Sequence, residues 1–212
     1  MKLKVCGMKY ADNIRDIASL EPDYMGFIFY KGSSRNMTAD IPEIGQSIKK
    51  VGVFVNETIS EVTELCKRFH LDAIQLHGDE SPDYCEKLKH ELQKLTLSKH
   101  ISVIKAFSVD ETFDFKRIGH YTSCCDFYLF DTKGELPGGN GIAFDWNLLA
   151  DYKGDKPFFL SGGIGLEALD ALHEFKQAKV SKFCHAIDVN SKFEDEPGLK
   201  NKNKLIDFKT KL

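Results

Sequence analysis

An α/β chain folded as a single compact (β/α)8 TIM barrel is what the sequence predicts, and three observations predict it. Short apolar runs alternate with longer amphipathic ones along the chain, and alternating strand and helix patterns imply a parallel sheet. About eight such units follow one another in 212 residues without a linker or low-complexity break, near the lower size limit of the barrel. No G-x-G-x-x-G follows a strand candidate, although an open doubly wound sheet, the alternative, usually carries one. Residues 1–212 are accordingly assigned to one barrel.

The first strand candidate is Leu3–Cys6 ("LKVC"). The others are Tyr24–Phe29 ("YMGFIF"), Val51–Val55 ("VGVFV"), Ala73–Leu76 ("AIQL"), Ser102–Phe107 ("SVIKAF"), Phe127–Asp131 ("FYLFD"), Pro157–Ser161 ("PFFLS") and Phe183–Val189 ("FCHAIDV"). Such short apolar runs suit strands buried on both faces. Between them, Ile59–Phe69 carries apolar residues at Ile59, Val62, Leu65, Cys66 and Phe69, the three-and-four spacing of one helix face. Pro82–Leu92 and Leu166–Phe175 read the same way, and Lys204–Leu212 closes the chain as a helix.

Composition narrows the function. Twenty-nine basic and 32 acidic residues leave a formal charge of −3, and no Lys/Arg stripe marks a nucleic-acid surface. No apolar run approaches the roughly 18 residues of a membrane span, and no signal-peptide pattern opens the chain. The expectation is a cytoplasmic protein with no nucleic-acid or membrane partner. The six cysteines form no C-x-x-C pair, which suggests neither a zinc site nor a disulfide framework. Adjacent Cys124 and Cys125 read as reduced core thiols.

In a barrel of this kind, catalytic groups sit at the C-terminal strand ends, and phosphate is often held after strands seven and eight. The chain offers Cys6, Ser33-Ser34-Arg35, Asn56, His77, Lys105, Asp131, Ser161-Gly162-Gly163 and Asp188 through Ser191 at those ends. Gly162 and Gly163 lie between a strand and a helix, where bare N–H groups can approach an anion. Asn190 and Ser191 would complete a phosphate cup, with Lys192 adding charge. Arg35, in a loop with few acids nearby, suits bidentate capture of a carboxylate. "LHGDE" (Leu76–Glu80) groups His77, Asp79 and Glu80 without the spacing of a metal site; a hydrogen-bond network that orders the loop is expected. Asp131 ends a strand under a glycine-rich loop, and partial burial would keep it protonated for general acid work. Cys6 shares a strand face with Lys4, whose ammonium would favour the thiolate and make Cys6 a usable base. A structural thiol is the competing reading.

Together the segments "KVCGM", "DYMGFIFYKGSSRNM", "VGVFVN", "IQLHGDE", "YLFDT", "GGNGIAFDW", "LSGGI" and "IDVNSKFE" resemble phosphoribosylanthranilate isomerases from end to end. The resemblance implies an Amadori rearrangement of N-(5-phosphoribosyl)anthranilate in tryptophan biosynthesis, with no metal and no organic cofactor. It implies Cys6 as general base, Asp131 as general acid and Arg35 as the holder of the anthranilate carboxylate. It implies a phosphate cup of Gly162, Gly163, Asn190 and Ser191, and His77 is counted among the substrate-binding groups. Two loops depart from the family pattern. Gly138-Gly139-Asn140-Gly141-Ile142 lacks a lysine and a hydroxyl, and Ser191-Lys192-Phe193-Glu194 lacks a glycine. Another phosphosugar isomerase or epimerase, and a sugar-phosphate-binding redox sensor built on Cys6, are the competing functions. The partner is a small-molecule substrate, and the oligomeric state is left open between monomer and homodimer.

Overall fold

The computed structural model describes residues 1–95, 99–132, 145–154 and 156–212. Eight parallel strands close into a barrel. They are β1 (Lys2–Val5), β2 (Tyr24–Ile28), β3 (Lys49–Phe54), β4 (Ala73–Leu76), β5 (Ser102–Val109), β6 (Phe127–Thr132), β7 (Phe158–Leu160) and β8 (Cys184–Val189). Closure comes from β8 lying beside β1 in register Lys2↔Ala186 through Val5↔Val189.

Helices α1 (Ala11–Ala18), α2 (Ile59–Phe69), α3 (Pro82–Leu95), α4 (Leu169–Gln177) and α5 (Lys202–Lys211) pack outside. The expectation of eight strand–helix units is too regular. Short 3₁₀ segments, Phe115–Tyr121 and Trp146–Asp151, stand where helices after β5 and β6 were expected, and among the described residues no helix follows β2. Helix α1 escaped the sequence reading because its buried positions are Asn13, Ile14 and Ile17, with a polar residue on the inner face. Asn13 is there to exchange two hydrogen bonds with the backbone of Lys200, at 2.8 Å each.

Period-two alternation sorts each strand. Val51, Ala73, Ile104, Leu129, Phe159 and Ala186 form an apolar plug inside the barrel. A larger cluster, including Val5, Phe27, Phe54, Leu76, Phe130, Leu160 and Ile187, fills the layer between strands and helices. One step further along the inward rows, the side chains turn polar and line a cavity: Cys6, Gln75, His77, Asp131 and Asp188. The apolar plug thus forms the floor of the site. Lys105 was expected among the strand-end groups, but it points outward. Its ammonium donates to the carbonyls of Gly78 (2.7 Å) and Ala106 (2.9 Å) and lies 3.1 Å from Glu80.

Candidate active site

The cavity at the C-terminal strand ends has a volume of about 320 Å³. The residues given catalytic or substrate-binding roles from the sequence all reach it: Cys6 from β1, Arg35 after β2, His77 after β4, Asp131 in β6, Gly162 and Gly163 after β7, and Asn190 and Ser191 after β8; the strand-end residues Asn56 and Lys105 do not. The strand ends converge, so residues up to 185 positions apart share one rim.

Cys6 is 5% exposed. Its thiol has room because β2 carries Gly26 opposite. A Cβ on Gly26 would stand 2.7 Å from Cys6 Sγ and 3.1 Å from Cys6 Cα. The chain then turns through Gly7 at φ +72°, a conformation costly for any side chain. A Cβ there would also meet Asn190 Oδ1 at 2.6 Å. Below the thiol lies Lys4, fully buried, with Nζ 2.8 Å from Asp188 Oδ2. The expected effect of Lys4 on the thiol is only half right. Burial pushes the Cys6 pKa up, and the opposing pull of Lys4 does not overcome it. Lys4 itself is lowered by burial, but Asp188 and Cys6 more than restore it, so it stays charged. Burial pushes Asp188 up despite the ammonium beside it.

Asp131 is 6% exposed. Its Oδ1 accepts the N–H of Thr132 at 2.9 Å, and its Oδ2 lies 3.3 Å from His77 Nε2. On the other side of the ring, Gln75 Nε2 lies 2.8 Å from His77 Nδ1. An amide N–H donating to Nδ1 leaves the ring proton on Nε2, facing Asp131. The "HGDE" loop is ordered as expected. The Glu80 carboxylate accepts from the N–H groups of Asn56 (2.9 Å) and Gly78 (3.0 Å) and is buried against Lys105.

At the phosphate-cup positions, Gly162 and Gly163 take φ +97° and +59°. Both conformations are ones that side chains rarely adopt, which is why glycine stands at each position. The helix beyond begins as a 3₁₀ turn, Leu166–Ala168, before α4. Lys192 reaches the rim but is engaged, 2.9 Å from Glu167. The Gly138-Gly139-Asn140-Gly141-Ile142 stretch lies outside the described residues.

Arg35 corrects the reading of a loop arginine with few acids nearby. Glu194, 159 positions away, takes its Nε at 2.9 Å and its Nη2 at 2.7 Å. Glu194 begins β9 (Glu194–Glu196), which pairs antiparallel with β10 (Leu199–Lys200). This ribbon folds back so that the buried Lys200 ammonium meets both Glu194 and Asn190 Oδ1, the latter at 2.7 Å. Burial of the Glu194 carboxyl is outweighed by Arg35 and Lys200, which hold it below the usual range. Burial lowers Lys200 to about 8. Sequence reasoning missed Gln75, Glu194 and Lys200 as site-building residues. For Glu194 and Lys200 the signal is a run of charge in "FEDEPGLK" directly after the phosphate-cup residues; for Gln75 it is a polar residue inside the apolar run "AIQL".

The family model for N-(5'-phosphoribosyl)anthranilate (PRA) isomerase matches residues 3–211. The chain belongs to this isomerase family. The N-(5'-phosphoribosyl)anthranilate isomerase of Parabacteroides distasonis is 43% identical over 98% of this chain and 91% of its own. Among solved structures, the phosphoribosyl anthranilate isomerase of Thermus thermophilus superposes with a TM-score of 0.81 at 25% identity, covering 100% of this chain and 98% of that one. A phosphoribosyl anthranilate isomerase in complex with reduced 1-(o-carboxyphenylamino)-1-deoxyribulose 5-phosphate superposes with a TM-score of 0.73 at 28% identity, covering 97% and 94%. The family expected from the motifs, its barrel and its isomerase function in tryptophan biosynthesis are borne out. Among the described residues no helix is long and apolar enough to cross a membrane.

Proposed function

We propose that the chain takes N-(5'-phosphoribosyl)anthranilate and rearranges it to 1-(2-carboxyphenylamino)-1-deoxyribulose 5-phosphate in the cytoplasm, with Cys6 as base and Asp131 as acid. The observation that carries this is the convergence of both groups on one cavity from different strand ends, between an arginine and a glycine pair. The 5'-phosphate sits on Gly162, Gly163, Asn190 and Ser191. Arg35 has Nε and Nη2 committed to Glu194, so it meets the anthranilate carboxylate through its Nη1 edge. The substrate is thereby stretched across the barrel mouth over Cys6 and Asp131.

Asp131 protonates the furanose ring oxygen; the ring opens and the nitrogen lone pair forms the Schiff base. Cys6, having first released its thiol proton to solvent, then takes the C2' proton as the thiolate, giving the enolamine that tautomerises to the ketone. His77, carrying its proton on Nε2, faces Asp131 and steadies the carboxylate left behind. The elevated pKa of Cys6 serves this step: a thiolate that binds its proton more tightly is a stronger base toward carbon. The cationic Schiff base nearby favours that thiolate once it forms.

The test is the loss of anthranilate fluorescence when substrate made in situ meets wild type, Cys6→Ala and Asp131→Asn. Fast conversion by wild type and near-silence from both variants is expected. Full activity in Cys6→Ala would remove the base assignment while leaving the reaction standing. A folded but inactive wild type would overturn the substrate.

A further inference from the structure

Away from the barrel mouth, the fold brings the thiol of Cys85 against the adjacent pair Cys124 and Cys125. Cys85 lies on the inner face of α3, and Cys124 and Cys125 close the connection into β6. All three are buried, at 0%, 2% and 0% exposure, and their sulfurs all lie within 4.8 Å of one another. Apolar packing alone would let buried thiols face separate neighbours. Here the three sulfurs lie close enough together to share one ion.

We propose that Cys85, Cys124 and Cys125 form a binding site for a soft divalent d10 cation of the zinc class. Three lines of geometry support it. Zinc–thiolate bonds of about 2.3 Å place three sulfurs about 4 Å apart, a spacing compatible with sulfurs that all lie within 4.8 Å of one another. Thiolate-only donors select soft cations over magnesium or calcium. The Tyr121 carbonyl, 3.4 Å from Cys124 Sγ, borders the cluster with an oxygen lone pair.

The charges also balance. One M²⁺ and three thiols give a tris-thiolate of net charge −1 and release three protons. Lys89 stands next to this charge: one helical turn beyond Cys85, it donates to the Ser123 carbonyl at 3.1 Å and lies 3.7 Å from Asp126. A bound ion would tie α3 to the entry of β6 and leave the catalytic rim untouched.

Cadmium alone, titrated into reduced, metal-stripped Cys6→Ala protein, provides the probe. A thiolate-to-metal charge-transfer absorbance saturating at one equivalent is expected, together with proton release and a raised melting temperature. Cys66→Ala and Cys184→Ala should leave the band intact, and Cys85→Ala and Cys124→Ala should abolish it. Peptide-resolved alkylation of the wild-type protein gives a reading that does not depend on how the variants fold. At ten times Kd, cadmium should slow labelling of the three cysteines about tenfold, because reagent reaches them through metal-free open states. No band, or a band that survives loss of Cys85 and Cys124 with unchanged labelling of the trio, overturns the site and returns the three thiols to ordinary core packing.

Discussion

Glu194→Gln should be a strongly damaging isosteric change, although Glu194 lies outside the catalytic pair. The Glu194 and Lys200 side chains are 5% and 0% exposed, and Arg35 is 16% exposed. Glutamine keeps the shape and removes the negative charge that stands between two cations. Breaking a buried ion pair from one side costs about 3–5 kcal/mol. A second route gives a similar figure. Lys200 can escape by shedding its proton, and at pH 7 an ordinary lysine does so at a cost of about 5 kcal/mol, which caps the penalty. Since domains hold about 5–15 kcal/mol in all, urea unfolding should register a large fall in midpoint. Adding Lys200→Met to Glu194→Gln removes one stranded cation and should recover at least about 1 kcal/mol. The sign in pH is set by the depressed carboxyl pKa of Glu194 in the folded state. Its contribution is present above the unfolded carboxyl pKa and is lost as pH falls through the folded one. The gap between wild type and variant should therefore narrow in acid. Arg35, deprived of its anchor, should raise KM about tenfold. A stability loss below about 1 kcal/mol at neutral pH, with KM unchanged, would refute the view that this buried network holds the arginine.

Two other perturbations follow from the floor of the site. Because burial holds the Cys6 thiol above its usual pKa, kcat/KM should climb with pH through the neutral range. Lys4→Met, which removes the cation favouring the thiolate, should lower activity at pH 7 and move that limb to higher pH; a limb that stays in place would show that Lys4 does not influence the base. Gly26→Ala sets a methyl against both the Cys6 sulfur and the Cys6 backbone. It should cost about 1–3 kcal/mol by overpacking and cut kcat at least about tenfold by displacing the thiol. Near-normal turnover in that variant would mean that Cys6 tolerates displacement that a base at carbon should not.

The sequence by itself determined the strand series, the parallel barrel and the list of groups at its mouth. Each of those is written locally: buried parallel strands are short continuous apolar runs, and a strand end is the residue where such a run turns polar. Cys6, His77, Asp131 and Asn190 were legible for that reason. The regularity of the helical layer was not legible. The 3₁₀ segments after β5 and β6 and the helix-free connection after β2 depend on how much strand surface is left to cover, and that is fixed only when the barrel closes. Tertiary structure alone decided the partners. Arg35 looked free because Glu194 is 159 residues away, and Lys4 looked like the master of the thiol because burial, the larger influence, has no one-dimensional signature. The Cys85–Cys124–Cys125 cluster is of the same kind: Cys85 meets the adjacent pair only when α3 packs against the connection into β6. Periodicity records which face of an element is buried. Closing the barrel determines what each buried group meets there, and charge, desolvation and metal affinity depend on those neighbours.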